Sequence, residues 1–423
     1  MFSHWSMLFF LLLPLAGATI SFEARALPGE PPASGLHTSS TDKARQYFTA
    51  DDIARGRAYA GGRRLLYFLR LALTLALFGV LSLPTVSSRL RDISVSIAGG
   101  RVWLTIAVFG LIVGLLYFVV TFPLNLYGNF LREHTFGLST QGFASWAWDH
   151  TKAALIGTGI MLPLLVLLYS LIRWNPDRWY VPAWVVSVAV MALMAELSPI
   201  LFDPLFHTFR PVTDPGLVER IHTLADRAGL RVGSILEMDA SRQTKKTNAY
   251  FTGLGRTRRV VLYDTLIATS TPEDVELVLA HELGHWRRHH IWKGIALGAA
   301  SILAALWVIA RLLNAAAGSG RFGFIHPADI VSLPLLLLSF LVLDIVTMPV
   351  QTAVSRAFER EADLESLRLT DNPDAFIASE VTLARTNLAD IEPPKAIVWF
   401  IYTHPPVLER IAMAEAYRAT EQR

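Results

Sequence analysis

Long apolar runs recur along the chain at about residues 65–86, 102–124, 153–173, 180–202, 290–313 and 329–352. Each is close to the roughly 20 residues that an α-helix needs to cross a bilayer. A shorter run at 6–20 precedes them, so about seven transmembrane helices are expected. No Lys or Arg stands ahead of that first run, whereas a secretory signal opens with positive charge. It therefore reads as a retained span in preference to a signal cleaved after Ala24-Arg-Ala26. Residues 27–42, rich in Pro, Gly and Ser, read as a linker. Residues 43–64 read as an Arg-bearing amphipathic helix leading into the membrane.

Two polar segments interrupt the apolar pattern. The expected division is 1–64 (first span or signal, linker and lead-in), 65–202 (transmembrane helices), 203–289 (a first catalytic part), 290–352 (the last two spans) and 353–423 (a second catalytic part). Within the first polar segment, Asn248-Ala-Tyr-Phe251 and Arg258-Arg-Val-Val-Leu-Tyr263 flank Gly253 and Gly255 and are rich in β-branched and aromatic residues, which predicts a hairpin. The expected class is thus a mainly α, polytopic membrane protein whose helical polar domain carries a small β-sheet. By the positive-inside rule, a cytoplasmic 21–64 loop places Arg55, Arg57, Arg63 and Arg64 inside. The same parity puts 203–289 and the C-terminal segment in the cytoplasm, and a cleaved first run would reverse it. The Arg- and Ala-rich composition points to a bacterial inner membrane.

Composition sharpens this picture. Of 423 residues, 52% are hydrophobic and only 17% charged, against about 25% charged in a soluble domain. The net charge of +3 has no matching basic stripe interleaved with aromatics, which removes nucleic acid as a partner. There is no cysteine, so disulfides, Cys-ligated zinc and thiol catalysis are excluded. Asn125, Glu196 and Asp344 lie within apolar spans, where polar groups face a cavity or another helix.

The chemistry centres on Thr271 to His285. Thr271 is an N-cap, Pro272 the first helical residue, and Glu273 and Asp274 favour the positive end of the helix dipole. On that helix His281 and His285 are four residues apart and share a face, so two neutral imidazoles can reach one ion at roughly 2.0–2.1 Å. Glu282 sits beside the ion's open position as the catalytic base of an H-E-x-x-H site. A zinc held this way needs a third protein ligand, and the helical pattern Glu359-Arg-Glu-Ala-Asp363 supplies candidates. Glu359 is the expected ligand. Asp363, one turn on, either orients a ligating His or moves a proton to the leaving amine. Glu361 points roughly 200° around the helix from Glu359 and is the weaker candidate. Thr403-His-Pro-Pro-Val-Leu-Glu-Arg410 offers His404 and Arg410 as oxyanion donors. Asn248 and Ala249 head a strand that could receive an extended peptide along its edge.

These motifs resemble the type I CAAX prenyl endopeptidases, an integral-membrane zinc metalloprotease family. The matching stretches, in order, are Leu131 to Ser139, Asp203 to Pro211, Met238 to Ser241, Thr247 to Phe251, Val261 to Leu266, His281 to His285, Phe358 to Asp363 and Thr403 to Arg410. The resemblance extends from about residue 43 to 415. It implies seven helices around a water-filled chamber capped by the metal site. It further implies one zinc on His281, His285 and Glu359, catalysis by Glu282 with Asp363 as proton donor, and substrate or oxyanion contacts from Asn248, His404 and Arg410. Residues 1–42 lie outside it, and Thr244-Lys-Lys-Thr247 stands where the family has a Ser- and His-rich run. The expected function is zinc-dependent cleavage of membrane-associated, lipidated (CAAX-type) or misfolded polypeptides, with membrane lipids as surroundings. Two alternatives are a heat-shock-type quality-control protease of the same chemistry and a non-proteolytic, zinc-stabilised membrane chaperone.

Overall fold

The structure is a computed structural model that describes residues 40–252 and 259–421. The run at 6–20, the linker before Ser40 and the two glycines of the expected hairpin lie outside those residues. Among the described residues six helices are long and apolar enough to cross a membrane. The chain opens with α1 (Ser40–Tyr47) and α2 (Ala50–Leu81). Thr49 separates them through a capping box, its Oγ1 accepting from Asp52 N at 3.1 Å while its own N–H donates to the Asp52 carboxylate at 3.0 Å. The expected lead-in at 43–64 and the span expected at 65–86 are therefore not two elements joined near residue 64. They are one 32-residue rod, about 48 Å long at 1.5 Å per residue. Its polar start stands clear of the apolar stretch.

A helix the apolar pattern did not announce follows, α3 (Pro84–Ala98). It is amphipathic rather than apolar, and Arg91 pairs with Asp329 at 3.5 Å. Next come α4 (Val102–Leu126), α5 (Phe143–Trp174) and α6 (Tyr180–Leu197). Two of these rods end in wide π-type turns, Tyr127–Leu131 after Pro123 and Ser198–Phe202 at Pro199. A proline removes a backbone donor from the helical ladder, and a π-type turn is a second source of kinks. The membrane half is held by one cluster in which Phe109, Tyr169, Ile172, Trp179, Ile302, Ile309 and Leu313 are all fully buried.

The polar half begins with β1 (Phe209–Pro211), α7 (Pro215–Arg227), β2 (Ser234–Met238), β3 (Ala249–Thr252) and β4 (Arg259–Tyr263). The strands form one mixed sheet in the order β1-β2-β4-β3. β3 and β4 pair antiparallel, Ala249 opposite Leu262 and Phe251 opposite Val260. β4 lies parallel to β2, a crossover that the hairpin alone did not imply. Alternation along β4 sends Val260 and Leu262 towards the helices and Val261 towards Met238. Then come α8 (Asp264–Thr269), α9 (Pro272–Arg287), α10 (His290–Ser319) and α11 (Leu333–Thr370). Leu279 and Leu283 of α9 pack with Ile221 and Leu224 of α7 against Leu262.

α11 runs 38 residues without a break, from the membrane half into the polar half, past Pro349. Asp371, at a φ of 50°, turns the chain into α12 (Pro373–Thr386). α13 (Lys395–Ile401) and α14 (Val407–Glu421) complete the domain. Ala44 and Phe48 of the N-terminal α1–α2 corner are buried with Leu367, Phe376, Ile411 and Ala414. The lead-in thus belongs to the core of the C-terminal part and is more than a membrane entry.

Close packing of α2 on the turn after α12 depends on Gly56, where a Cβ would come 2.1 Å from the carbonyl oxygen of Ala389. A Cβ on Gly79, further along the same helix, meets nothing within 4 Å. Gly56→Ala should lower the apparent melting temperature of the detergent-solubilised protein by several degrees. Gly79→Ala should leave it unchanged or raise it, since Ala is about 1 kcal/mol more favourable than Gly inside a helix. Thermal unfolding of the two variants side by side tests this.

Candidate metal centre

α9 begins as its sequence dictates. Thr271 Oγ1 accepts from Asp274 N at 3.2 Å, Thr271 N–H donates to the Asp274 carboxylate at 3.0 Å, and Pro272 is the first helical residue. From that start His281 and His285 emerge on one face. Opposite them runs α11, drawn close because residue 284 has no side chain. A Cβ on Gly284 would lie 2.9 Å from Ala362 O and 3.1 Å from Glu365 Cβ. Ser366 Oγ donates to Leu277 O at 3.0 Å and fastens the two helices one turn away.

The contact brings three groups to a point. His281 Nε2 and His285 Nε2 lie 3.2 Å apart. The Glu359 carboxylate faces both, Oε2 at 3.2 Å from His281 Nε2 and Oε1 at 3.7 Å from His285 Nε2. One ligand atom from each of the three falls within 4.8 Å of the others. The hydrogen-bonding inventory fits a cation. Glu359 is buried, and its Oε2 makes no hydrogen bond although two imidazole nitrogens lie 3.2 Å away. A buried carboxylate oxygen left that way is costly. A divalent ion among two imidazole nitrogens and this carboxylate satisfies all three, and the donor set of two His and one Glu is that of a catalytic zinc site with an open position.

The groups behind the ligands are equally fixed. His281 Nδ1 donates to Asp363 Oδ1 at 2.7 Å. Asp363 is fully buried, and Arg410 closes on it with Nε at 2.8 Å from Oδ2 and Nη2 at 2.5 Å from Oδ1. The third guanidinium nitrogen, Nη1, reaches Glu380 Oε2 at 2.5 Å. Arg410, expected as an oxyanion donor, therefore has Nε, Nη1 and Nη2 all engaged by carboxylates. Burial lowers the affinity of its guanidinium for a proton, and the charges of Glu380 and Asp363 more than restore it. His404 is placed differently. Its side chain is 60% exposed, its Nε2 lies 3.2 Å from Glu359 Oε2, and Thr403 Oγ1 meets its Nδ1 at 3.0 Å. Arg356 on α11 holds the segment leading to it, donating to Val398 O at 2.8 Å and Tyr402 O at 2.6 Å.

Glu282 leaves α9 on the side of the sheet. Burial pushes its carboxyl above the ordinary range, the His281 and His285 charges pull it back, and Glu359 adds to the rise. Among its neighbours is the backbone of Phe251 on β3. β3 is an edge strand with its other side unpaired among the described residues. Asn248, just ahead of it, is exposed, whereas the Ala249 methyl is buried against the helices. Only the backbone of Ala249 can face a ligand.

Glu380 is the residue that sequence reading missed here. It lies on the apolar face of α12 with Phe376, Ile377, Val381 and Ala384. An acid in the middle of an apolar stripe was the available signal. Burial raises its carboxyl, Arg410 lowers it and the Asp363 charge raises it again, leaving it at about 7.

The carboxyl-terminal half, residues 211–418, matches the model of Peptidase family M48. Residues 36–208 match that of the CAAX prenyl protease N-terminal, five membrane helices. The chain is 30% identical over 371 residues to the uncharacterized metalloprotease YhfN of Bacillus subtilis, covering 87% of each. It is 27% identical over 312 residues to CAAX prenyl protease 1 of Saccharomyces cerevisiae, covering 69% of this chain and 68% of that one. The crystal structure of S. mikatae Ste24p has the same fold, with a TM-score of 0.78 at 21% identity over 97% of both chains.

Arg410 neutralises two buried carboxylates at once. Arg410→Ala leaves both without a counter-charge and should destabilise the protein by about 3–5 kcal/mol. Glu380→Gln, which keeps an acceptor for Nη1, should cost much less. Chemical denaturation or thermal unfolding of the chelator-treated protein separates the two.

Proposed function

The chain belongs to peptidase family M48 and is a membrane-embedded metalloendopeptidase, and on that premise we propose that zinc is its metal, held by His281, His285 and Glu359. The observation that carries this reading is the convergence, beside Glu282, of two Nε2 atoms and one carboxylate oxygen that makes no hydrogen bond. When bound, zinc supplies Lewis-acid chemistry, polarising the scissile carbonyl and making water acidic. Glu282 takes a proton from the attacking water and delivers it to the departing amine, a role its raised carboxyl suits. His404, exposed on the open side of Glu359, donates to the developing oxyanion. Asp363 has no open face, so of its two expected roles it fills the first and orients the His281 ring. Arg410 holds Asp363 in turn, and its effect on the oxyanion is indirect.

The substrate lies as an added strand along β3, where backbone groups bind any sequence and Asn248 meets the peptide from the strand's head. The peptide is a membrane-associated, lipidated polypeptide. Support comes from α11, which leads directly from the membrane half to Glu359, and from the CAAX prenyl protease relatives. The membrane is the bacterial inner membrane, with the site facing the cytoplasm. Arg57 pairs with Glu392 at 3.2 Å and Arg64 with Asp390 at 2.5 Å, so the basic start of α2 and the catalytic segments share one face.

Glu282→Gln should keep one metal ion per chain and lose cleavage by two orders of magnitude or more, in the range for a positioned general acid–base. Glu359→Ala should lose the metal as well, as read by elemental analysis after dialysis. Full activity in the first variant, or unchanged metal in the second, overturns the assignment. Comparison of peptides in membranes from wild-type and Glu282→Gln cells by mass spectrometry then identifies the substrates.

Orientation has its own test, because the chain contains no cysteine. Ala268→Cys, exposed after β4, should be protected from an impermeant maleimide in intact cells. Asp177→Cys, exposed between α5 and α6, should react. The opposite pattern would turn the site outward.

A further inference from the structure

The turn between α9 and α10 lies against His285. After Arg288, His289 adopts a left-handed φ of 57°, and α10 starts at His290. This reversal folds His290 back onto His285, with Nδ1 3.0 Å from Nδ1. His290 is buried, and its ring stacks on Phe358 of α11 at 4.3 Å and 6°. Its far nitrogen, Nε2, lies 3.1 Å from Glu361 Oε2. Glu361 is half-exposed and also faces Lys293 at 3.5 Å, so it is held as a carboxylate.

With His290 neutral, one proton arrangement satisfies every atom in this chain of contacts. The carboxylate can only accept, so His290 Nε2 carries a proton and donates it to Glu361. A neutral His290 then has a lone pair on Nδ1. Two facing Nδ1 atoms share one proton, so His285 Nδ1–H donates to His290. That leaves the lone pair of His285 on Nε2, the nitrogen that faces His281 Nε2 and Glu359.

We propose that His290 and Glu361 are positioning residues for the metal, fixing the tautomer and ring direction of His285 and raising its basicity. This rests on the reading of His285 as a ligand. His290 and Glu361 do for His285 what Asp363 and Arg410 do for His281, with one imidazole inserted in the relay. Both outer carboxylates come from α11, which also carries Glu359. A group that accepts from the far nitrogen of a ligating His typically changes metal affinity or activity about 10–100-fold when removed. The competing account is a junction clamp, in which His290 and Glu361 merely tie α10 to α11. That account predicts a change in stability without a change at the metal.

The test uses the full chain in detergent, stripped of metal and titrated with Zn2+ against a chromophoric chelator. Visible spectra of the Co2+-loaded protein are recorded alongside. His290→Phe keeps the stack on Phe358 and removes the acceptor. It should weaken Zn2+ binding about 10–100-fold and shift the Co2+ bands. His290→Asn, whose Oδ1 can accept from His285 Nδ1–H, should recover most of the loss. Glu361→Ala, at a half-exposed position that folding tolerates, should weaken binding by a smaller factor. Unchanged Zn2+ affinity and Co2+ spectrum in His290→Phe overturns the proposal, as does a fall in metal-free melting temperature with affinity intact. If His290→Phe does not fold, unchanged affinity in Glu361→Ala overturns it. Failure of the wild type to bind one equivalent would instead sink the metal-site reading itself.

Discussion

The approach of α9 to α11 is the constraint on which the metal centre depends. Two imidazoles come from one helix and the carboxylate from another, and nothing in local sequence brings them together. Gly284 does, by leaving room for the Ala362 backbone where any Cβ would come within 3 Å of its oxygen. The short inter-helix distance carries His281 Nε2 to Glu359 and, on the same register, His281 Nδ1 to Asp363. Buried polar groups must be satisfied together or not at all. The contact thus imposes a set of partners as well as a distance, and it extends through Asp363 to Arg410 and Glu380.

α11 is the element that turns packing into electrostatics. It places four acids in its last turns, and their helical spacing sorts them into two pairs. Glu359 and Asp363 face the metal centre, while Glu361 and Glu365 face the α9–α10 junction. Each pair has its own cations. Arg410 serves the first, and Arg287, Arg288 and Arg368 gather on Glu365 in the second. Without those cations, four carboxylates so close on one helix would repel one another and protonate. The helix is stable in this form because positive charge arrives from α9 and its C-cap, α10, α11 itself and α14.

Much of this was legible in the sequence, for physical reasons that also mark the limit. Membrane spans announce themselves because a bilayer demands unbroken apolarity, and six of the expected runs coincide with long helices. The H-E-x-x-H helix was legible because its cap, spacing and chemistry are all local. So was the i, i+4 pair Glu359 and Asp363. What escaped depends on contacts between distant residues. α3 is only amphipathic, so no bilayer rule flags it. The boundary set by Thr49 was hidden because the apolar stretch begins well after the cap. Burial of Phe48 beside Ile411 joins residues more than 360 positions apart. Glu361 was set aside because it points away from Glu359, which is true, and it points at His290 instead.

The displacement of Arg410 from the open side of the site has a wider consequence. A guanidinium with all three nitrogens bonded to buried carboxylates is not free to move towards a charge that forms and vanishes during turnover. Its contribution is fixed before substrate arrives, which is what electrostatic preorganisation requires. His404 is the opposite case, exposed, with the Thr403 hydroxyl at one ring nitrogen and the Glu359 carboxylate 3.2 Å from the other. Arg356 anchors the segment before it to α11, so the exposed ring can turn without that segment moving. One side of the centre is therefore rigid because its charges are buried in pairs. The other remains adaptable because its imidazole is largely exposed. On the proposed zinc reading, the division between a fixed metal-holding side and a yielding substrate side follows from where α11 is covered and where it is not.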